Sequence, residues 1–408
     1  MLKDEEVSMS MKAPRGERLV IALIGRRNVG KSSLINALTG QSIAIVDEQP
    51  GTTTDPVAKH FELLPVGPVT FYDTAGIDDV GSVGQKRVQA SLKVLWRSDM
   101  ALLVTDEQGL TRDEETAVAL LKKMEIPFLI LFNKSDKGAP PEKSLALCRD
   151  EGYPFVVLST ATGSGVPEAR DRIIALVPDS YKEERPIIGD ILNKGDIVLL
   201  VTPIDPGAPR GRLILPQVQV LRDVLDRDAL AYTVKETDIT RALESLKNPP
   251  ALVITDSQAV KLVNTLVPEP IPLTTFSTAF ARYKGELAPL VQGARTIDLL
   301  HDGDRVLVAE ACSHHAQSDD IGRVKIPRWI NEYTGKKVET VIAAGHDFPD
   351  DLEEFALVIH CGACMLTGMD MKRRIRQCQS RGVAVTNYGV AISKFHGVLD
   401  RIVRPFGL

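Results

Sequence analysis

The chain has 408 residues, a formal net charge of −5, 44% hydrophobic residues and 25% charged residues. This length predicts two to three domains, and the composition is that of a globular protein. The acidic balance gives no general electrostatic support for a nucleic-acid partner, and the longest apolar runs are too short to span a bilayer. Because the charged N-terminus lacks an apolar signal core, we expect a cytoplasmic protein without a membrane partner.

The first predicted element is an apolar strand at 19–24, followed by a glycine-rich loop at 25–30 and a helix-forming stretch. This order is typical of a phosphate-binding loop, whose backbone N–H groups and helix N-terminus surround the phosphates. Lys31 is expected to reach the outer phosphates, and the Ser32 hydroxyl is expected to bind Mg²⁺. The nucleotide-binding residues predicted here are Gly25, Asn28, Val29, Gly30, Lys31, Ser32 and Ser33.

Three later segments indicate that the nucleotide is GTP. A predicted strand ends at Asp73, which is placed to hold Mg²⁺, and Gly76 offers a backbone N–H to the γ-phosphate. Asp136 follows another apolar run, and its carboxylate can accept both donors of guanine, whereas adenine would leave it unpaired. A third apolar run is followed by a segment that can contact the guanine carbonyl. The residues assigned to the base are Asn133, Lys134, Asp136, Ser159, Thr160 and Ala161.

This motif set resembles the translation-factor-type small GTPases, in the branch that includes tRNA-modification and ribosome-assembly enzymes. By that resemblance, Thr53 of Gly51-Thr-Thr53 is the switch threonine on Mg²⁺, and Thr54 is a less favoured substitute. The catalytic set is then Lys31, Thr53, Asp73 and Gly76.

Two positions in the GTPase segment bear on the rate of hydrolysis. Ile77 stands where Ras-like enzymes place a glutamine, and isoleucine cannot orient the attacking water. In related enzymes an asparagine at the position of Asn28 helps to bind K⁺, which neutralises charge on the phosphates. The alternative for Asn28 is a residue that only tolerates the loop geometry. We therefore expect a slow GTPase that potassium stimulates.

The predicted fold class is α/β, with three domains. The GTPase pattern covers residues 1–180, and a charged stretch that ends in Pro186 reads as a linker. Residues 186–268 alternate strands and helices but carry little chemistry, which favours a dimerisation domain. After the proline-rich boundary at 268–272, residues 272–408 alternate again and predict a doubly wound parallel sheet. Its strands are expected at 273–276, 305–309, 337–342, 355–360 and 383–386, with helices at 279–291, 322–333 and 369–380.

Three cysteines follow two predicted strands of this last domain. Cys312 comes after the strand at 305–309, and Cys361 and Cys364 come after the strand at 355–360. Because the carboxyl ends of parallel strands meet at one edge of a sheet, we expect these thiols to lie close together. Tetrahedral zinc, a redox pair, buried structural cysteines and an iron–sulfur cluster all remain as interpretations. Ligand spacing alone leaves zinc and iron–sulfur equally favoured.

The pairing of Cys312-x-His314 with His360-Cys361-x-x-Cys364, on a chain that begins with a GTPase, resembles the maturation GTPases of FeFe-hydrogenases. The segment 319–329 resembles that family too. The resemblance implies a cytoplasmic homodimer with a 4Fe–4S cluster domain. It also implies a scaffold and carrier, on which radical-SAM maturases assemble a transient di-iron subcluster for delivery to apo FeFe-hydrogenase.

Three thiolates do not complete a four-iron cluster, which needs one ligand for each iron. The candidate fourth ligands are His314, His360 and Asp319, together with solvent or a foreign ligand. Cys148 and Cys378 are expected to be structural. Two alternative functions remain: a regulatory GTPase with a structural zinc site, and a GTPase that acts on RNA or ribosomes.

Overall fold

The computed structural model describes residues 18–39, 57–74, 94–182, 185–203, 213–310, 320–344, 348–349, 351–362 and 367–408. Several predicted site residues lie outside these ranges, and the predictions made for them stay predictions: Thr53, Gly76, Ile77, Cys312, His314, Asp319 and Cys364. The chain divides after residue 184 into two compact units.

Strands and helices alternate through the described residues. The strands are β1 (Leu19–Ile24), β2 (Val57–Leu63), β3 (Gly67–Asp73), β4 (Met100–Thr105), β5 (Phe128–Phe132), β6 (Phe155–Val157), β7 (Ile197–Val201), β8 (Leu230–Val234), β9 (Leu252–Thr255), β10 (Leu273–Thr275), β11 (Arg305–Glu310), β12 (Glu339–Ala344), β13 (Leu357–His360) and β14 (Ala384–Asn387). The helices are α1 (Lys31–Thr39), α2 (Arg112–Lys123), α3 (Glu142–Asp150), α4 (Val166–Leu176), α5 (Asp179–Lys182), α6 (Leu215–Asp226), α7 (Ile239–Ser245), α8 (Val260–Leu266), α9 (Phe276–Lys284), α10 (Leu287–Arg295), α11 (Ile326–Thr334), α12 (Gly368–Ser380), α13 (Tyr388–Phe395) and α14 (Leu399–Val403).

The first unit is built on a six-stranded sheet in the order β2-β3-β1-β4-β5-β6. Every neighbouring pair is parallel except β2 with β3. All six residues of β1 are buried, as expected for a strand that helices cover on both faces. The predicted nucleotide-binding motifs follow β1, β3, β5 and β6, so they leave the same edge of the sheet, where folds of this kind bind ligands.

The second unit contains two four-stranded parallel sheets, ordered β10-β9-β7-β8 and β12-β11-β13-β14. The parallel sheet predicted for the last domain is therefore confirmed. Its first predicted strand, at 273–276, is misplaced, because β10 pairs with β9 in the other sheet. The proline-rich segment 268–272 is thus a turn inside the middle domain, closed by a bond from Ile271 N to the Pro268 carbonyl (3.0 Å). Proline marks such a turn as strongly as it marks a linker.

Two helices also differ from the predicted ranges. The helix predicted at 279–291 is divided into α9 and α10, because Gly285 ends α9 and glycine is a poor helix former. The helix predicted at 322–333 begins with a π-helical turn at Ile321–Lys325 and continues as α11. Both changes are local, and they leave the alternation of strand and helix intact.

Helix α14 packs against both sheets of the second unit, because Leu399 and Val403 lie in the core of the last sheet and Ile402 lies in the core of the middle sheet. Val398 and Ile402 pack in a common core with β7, β9 and β10. The buried guanidinium of Arg401 donates to the carbonyls of Val267 (3.0 Å), Pro268 (2.7 Å) and Ile271 (3.2 Å), which follow α8. Arg401 also donates to the carbonyl of Asn264 (3.2 Å), in the last turn of α8, where helix carbonyls have no partner within the helix. Within the described ranges, no helix is both long and apolar enough to cross a bilayer.

Candidate functional site

The loop after β1 requires glycine at both ends. Gly25 and Gly30 have φ angles of 146° and 97°, which side-chain-bearing residues rarely adopt. A Cβ at Gly30 would lie 2.3 Å from Nδ2 of Asn133, so even a methyl group is excluded. Asn28 also has a positive φ, 60°, and asparagine is among the few residues that tolerate it. The loop geometry therefore accounts for Asn28 without any cation, and potassium binding stays a prediction.

Lys31 is the first residue of α1 and is buried at the phosphate loop. Its Nζ donates to the carbonyl oxygens of Gly25 and Arg26, at 2.8 Å each. Because an ammonium group carries three donors, these bonds fix the charge against the loop backbone. Lys31 therefore lies at the carboxyl edge of the sheet, where the motif predicts the phosphates.

The two predicted Mg²⁺ ligands of the described chain lie together. The Ser32 hydroxyl, in the first turn of α1, donates a hydrogen bond to the carboxylate of Asp73 at the end of β3. The parallel pairing of β1 with β3 brings them together, since Leu23 is the partner of Asp73 in the register. A hydroxyl and a carboxylate are hard oxygen donors of the kind that Mg²⁺ prefers, so these residues fit the ion. Ser33 is exposed beside them.

Asn133 joins three loops of the predicted nucleotide site. Its side chain is buried, Nδ2 donates to the Val29 carbonyl at 2.8 Å, and Oδ1 accepts from the Thr160 backbone at 3.0 Å. The amide is therefore engaged by the protein at both ends. Its part in the site is to hold the phosphate loop against the loop at 159–161, where Thr160 is half-buried and Ala161 is exposed.

Asp136 is presented as an ionised carboxylate. The Ser159 hydroxyl donates to its Oδ1 at 2.5 Å and in turn accepts from the Thr162 backbone at 3.2 Å. The Ser159 hydrogen bond, helped by the charges of Lys137 and Lys134, holds the pKa of the Asp136 carboxyl below its ordinary value. Guanine recognition needs this charged form, which accepts two hydrogen bonds.

An ion network that was not predicted from the sequence lies behind the phosphate loop. Arg26 donates from Nε to the fully buried Glu114 at 2.6 Å and from Nη2 to Asp106 at 2.9 Å. The other oxygen of Asp106 lies 3.7 Å from Nζ of Lys134, in the base-binding segment. An arginine inside a phosphate loop was a visible signal, but its two acidic partners lie 80 and 88 residues away and form no motif with it.

We expect Arg26→Met to destabilise the GTPase unit by about 3–5 kcal/mol, because it leaves the Glu114 carboxylate buried without its partner. The double variant Arg26→Met with Glu114→Gln should recover much of this loss, since it removes both charges but keeps an acceptor for the Thr111 backbone N–H at the start of α2. Calorimetry of the full chain can measure the loss of stability in each variant. Added GTP identifies the relevant transition, because it raises the unfolding temperature of the unit that binds it. Equal losses for the single and the double variant would show that the pairing contributes nothing.

At the carboxyl edge of the last sheet, β11 and β13 are adjacent and parallel, with Ala309 opposite His360. Cys361 follows β13 at once, is half-buried, and its backbone N–H donates to the Ala309 carbonyl at 2.8 Å. Because β11 ends at Glu310, the chain leaves this edge two residues before Cys312. Among the described residues, no three metal-ligating side chains form a group. A thiol at the shared end of two strands suits an iron–sulfur cluster, since thiolates are its usual ligands.

His360, a predicted candidate for the fourth cluster ligand, is buried and engaged by the protein. Its Nδ1 lies 2.9 Å from the Cys361 carbonyl oxygen, and its Nε2 lies 2.9 Å from Nη1 of Arg374. Burial, helped by the Arg374 charge, lowers the pKa of His360 to about 3. The ring is thus neutral, and each nitrogen already has a hydrogen-bond partner.

Cys148 and Cys378 are both fully buried in hydrophobic cores. Burial raises the pKa of the Cys148 thiol to about 11 and that of Cys378 to about 12. Such thiols remain protonated and are poor metal ligands. Their surroundings agree with the structural role that the sequence predicts for them.

Comparison with protein families assigns the three parts of the chain separately. A family model described as the hydrogen maturase F dimerization domain matches residues 187–285, and the hydrogen maturase F tetramerization domain matches residues 288–405. A third model, described as a 50S ribosome-binding GTPase, matches residues 20–134. The dimerization match ends after α9, in agreement with the position of β10 in the middle sheet.

Curated relatives resemble the GTPase part. A tRNA modification GTPase MnmE from Chromobacterium violaceum is 33% identical over 189 residues, and the GTPase Der of Prochlorococcus marinus is 34% identical over 196 residues. These matches cover 45% and 44% of this chain, and the chain spans only 41% of the length of each relative.

Among solved structures, the G domain of the T. maritima FeoB iron transporter gives a TM-score of 0.32 at 23% identity, covering 41% of this chain and 99% of that one. Aquifex aeolicus Era bound to GDP and aluminium fluoride gives a TM-score of 0.34 at 20% identity. That match covers 53% of this chain and 92% of the Era chain.

The family assignment follows from the two domains that come after the GTPase domain. The GTPase match accounts for the P-loop domain with its GTP and Mg²⁺ site, and the other two matches account for oligomerisation. The two oligomerisation domains, from residue 187 to residue 405, carry a description that names hydrogen maturation. The chain therefore belongs to the hydrogen maturase F family, with a P-loop GTPase domain followed by two α/β oligomerisation domains.

Proposed function

We propose that this GTPase binds a 4Fe–4S cluster through Cys312, Cys361 and Cys364, and that it carries a di-iron subcluster to apo FeFe-hydrogenase. The observation that supports this most directly is the pairing of β11 with β13, which places Cys361 at the sheet edge from which the Cys312 segment departs. Cys364 lies three residues beyond Cys361, a spacing that lets two thiolates reach one cluster.

The donor set is suited to a carrier. Three thiolates leave one iron of four to an oxygen or nitrogen donor, for which His314 and Asp319 are the proposed residues, or to an exogenous ligand. These donors are harder than thiolate and hold iron less tightly. When bound, the cluster supplies an iron position at which the di-iron cargo can be accepted and later released.

GTP hydrolysis is assigned to the P-loop residues of the first unit. Lys31 meets the outer phosphates, Ser32 and Asp73 hold Mg²⁺, and Asp136 selects guanine. Thr53 and the Gly76 N–H are proposed to complete the contacts to Mg²⁺ and the γ-phosphate. Ile77 cannot orient the attacking water, so we propose a slow enzyme that depends on a cation for charge neutralisation.

Hydrolysis should be faster in potassium than in sodium, by about tenfold if the cation lowers the barrier by about 1.4 kcal/mol. Steady-state rates in K⁺, Na⁺ and a buffer without either ion would measure this. Asn28→Gly is the informative variant, because glycine accepts the positive φ but removes the amide oxygen. If Asn28→Gly keeps the full potassium effect, then Asn28 serves the loop geometry alone.

The proposed partners are the apo FeFe-hydrogenase and the radical-SAM maturases, and the proposed working form is a homodimer. Dimerization and tetramerization domains support self-association of the chain. With a net charge of −5, the chain has no electrostatic support for RNA binding. RNA binding that weakens steeply with salt would favour the alternative of a ribosome-associated GTPase.

One preparation tests the function. The chain is co-expressed with the radical-SAM maturases, purified without oxygen and assayed for iron, sulfide and zinc, and then mixed with apo-hydrogenase. We expect about four irons and four sulfides for each cluster, additional iron from the cargo, and the appearance of hydrogenase activity. Zinc without sulfide would support the regulatory GTPase with a structural metal site. A cluster that never activates the hydrogenase would contradict the carrier role.

A further inference from the structure

We propose that Arg374 positions the cluster-binding loop, because its guanidinium ties together the two ends of the segment that carries Cys361 and Cys364 and holds His360 away from iron. This inference rests on the proposed function, since it concerns the loop assigned to the cluster. Arg374 lies on α12, ten residues beyond Cys364, and belongs to none of the sequence motifs described above.

The first end of the loop is held through His360, the last residue of β13. Arg374 Nη1 lies 2.9 Å from His360 Nε2, and arginine can only donate, so Nε2 must be the acceptor. A neutral imidazole then carries its proton on Nδ1, which lies 2.9 Å from the Cys361 carbonyl oxygen and donates to it. The hydrogen bonds thus run from Arg374 through the imidazole to the backbone of the first thiol ligand.

The second end of the loop is held through the start of α12. Thr367 is the N-cap of this helix, and its hydroxyl accepts from the Asp370 backbone N–H. Arg374 Nε donates to the Asp370 carboxylate at 3.2 Å, one turn along the same helix. The same guanidinium therefore contacts the strand that enters the loop and the first turn of the helix that leaves it.

Burial makes this clamp rigid and costly to break. Arg374 and Asp370 are 7% and 4% exposed, and the guanidinium lies over the ring of Phe348, with 5.2 Å between the guanidinium carbon and the ring centroid. Residues that support metal ligands in this way typically contribute 10- to 100-fold to metal affinity.

The geometry distinguishes a positioning role for His360 from a ligand role. To bind iron through Nε2, the ring would have to give up its hydrogen bond from Arg374, which would leave the buried guanidinium without that acceptor; to bind through Nδ1, it would have to give up the Cys361 carbonyl. His360 is then a positioning residue that acts through Cys361, and the fourth ligand must come from elsewhere.

The test compares three variants of the full-length protein after anaerobic reconstitution with iron and sulfide. Arg374→Gln removes the positive charge and the planar set of guanidinium N–H donors, whereas Arg374→Lys keeps only the positive charge. Arg376→Gln is the matched control, because Arg376 is an exposed arginine on the same helix. The measurements are iron content and the rate of iron loss to a chelator, with circular dichroism to verify the fold. We expect Arg374→Gln to lose iron about tenfold faster or more, Arg374→Lys to fall between, and Arg376→Gln to match the wild type.

A second measurement does not depend on the folding of any Arg374 variant. Protein labelled with ¹⁵N-histidine is reduced, and pulsed EPR records nitrogen couplings for the wild type and for His360→Asn. We expect faster iron loss from His360→Asn but no loss of a nitrogen coupling. A coupling that disappears in His360→Asn would make His360 a ligand and overturn the inference, as would wild-type iron retention in Arg374→Gln. A wild type that binds no 4Fe–4S cluster at all would instead refute the proposed function.

Discussion

Lys31→Ala should reduce GTP turnover by at least about 10²- to 10³-fold, the loss seen when one group that stabilises a transition-state charge is removed. The structure gives the reason for so large an effect. The Lys31 ammonium is buried against the Gly25 and Arg26 carbonyls, so its position is set by the loop. Single-turnover hydrolysis at saturating GTP, with phosphate release as the readout, measures the loss directly.

The matched control for this prediction is Lys143→Ala. Lys143 is exposed on α3 of the same unit, and its removal changes the net charge by the same amount. We expect Lys143→Ala to hydrolyse GTP at the wild-type rate. Near-normal turnover in Lys31→Ala would show that the phosphate loop assignment is wrong, whereas equal losses in both variants would indicate a general effect of charge.

Cys361→Ala should lose the cluster almost entirely. A residue that binds iron directly should contribute more to metal affinity than the roughly 10- to 100-fold that a residue supporting a ligand contributes. Cys361 is half-buried at the end of β13, so alanine is tolerated there by the fold, and the loss of iron will not reflect unfolding. Iron and sulfide content after anaerobic reconstitution is the measurement. Cys312→Ala and Cys364→Ala should behave alike if the three thiols share one cluster.

Two other cysteines provide the controls. Cys148→Ala and Cys378→Ala remove thiols that are fully buried and whose pKa values burial raises, so neither should change the iron content. Cys378 lies in the same unit as Cys361, which makes it the closer comparison. Iron loss from Cys378→Ala at an unchanged thermal unfolding temperature would show that the thiol assignment is incomplete.

The independence of the two units can be examined with a fragment of residues 185–408. Each described unit has its own sheets and hydrophobic cores, so the fragment is expected to fold and to retain iron. Iron binding by the isolated fragment would assign the metal chemistry to the second unit. A folded fragment without iron would mean that the GTPase unit contributes to the metal site.

Much of the nucleotide site was predictable from sequence, because its signals are local. Gly25, Gly30 and Lys31 fall within seven residues of chain, and the φ angles of 146° at Gly25 and 97° at Gly30 are adopted readily only by glycine. The apolar strand before them is continuous because both faces of a parallel sheet are covered. The meeting of Ser32 with Asp73 also followed, since parallel strands bring their carboxyl ends to one edge.

The sequence alone could not assign β10 to the middle sheet. Strand partnership is decided by which neighbour offers an open edge and a matching register, and neither property is written in the strand itself. The segment Leu273–Thr275 pairs with Val253–Thr255 of β9. Only packing against β9, together with the contacts that Arg401 makes to the turn before it, decides the position.

The chemistry of the two sites also depends partly on local sequence and partly on tertiary contacts. The sequence by itself predicted a guanine-nucleotide site and three thiols at one sheet edge, because glycine conformation, strand ends and cysteine spacing are local properties of the chain. Tertiary structure decided that Arg26 pairs with Glu114 and that Arg374 engages His360. In both pairs a long arginine reaches a polar group that becomes buried only on folding, and it is burial that makes the contact necessary.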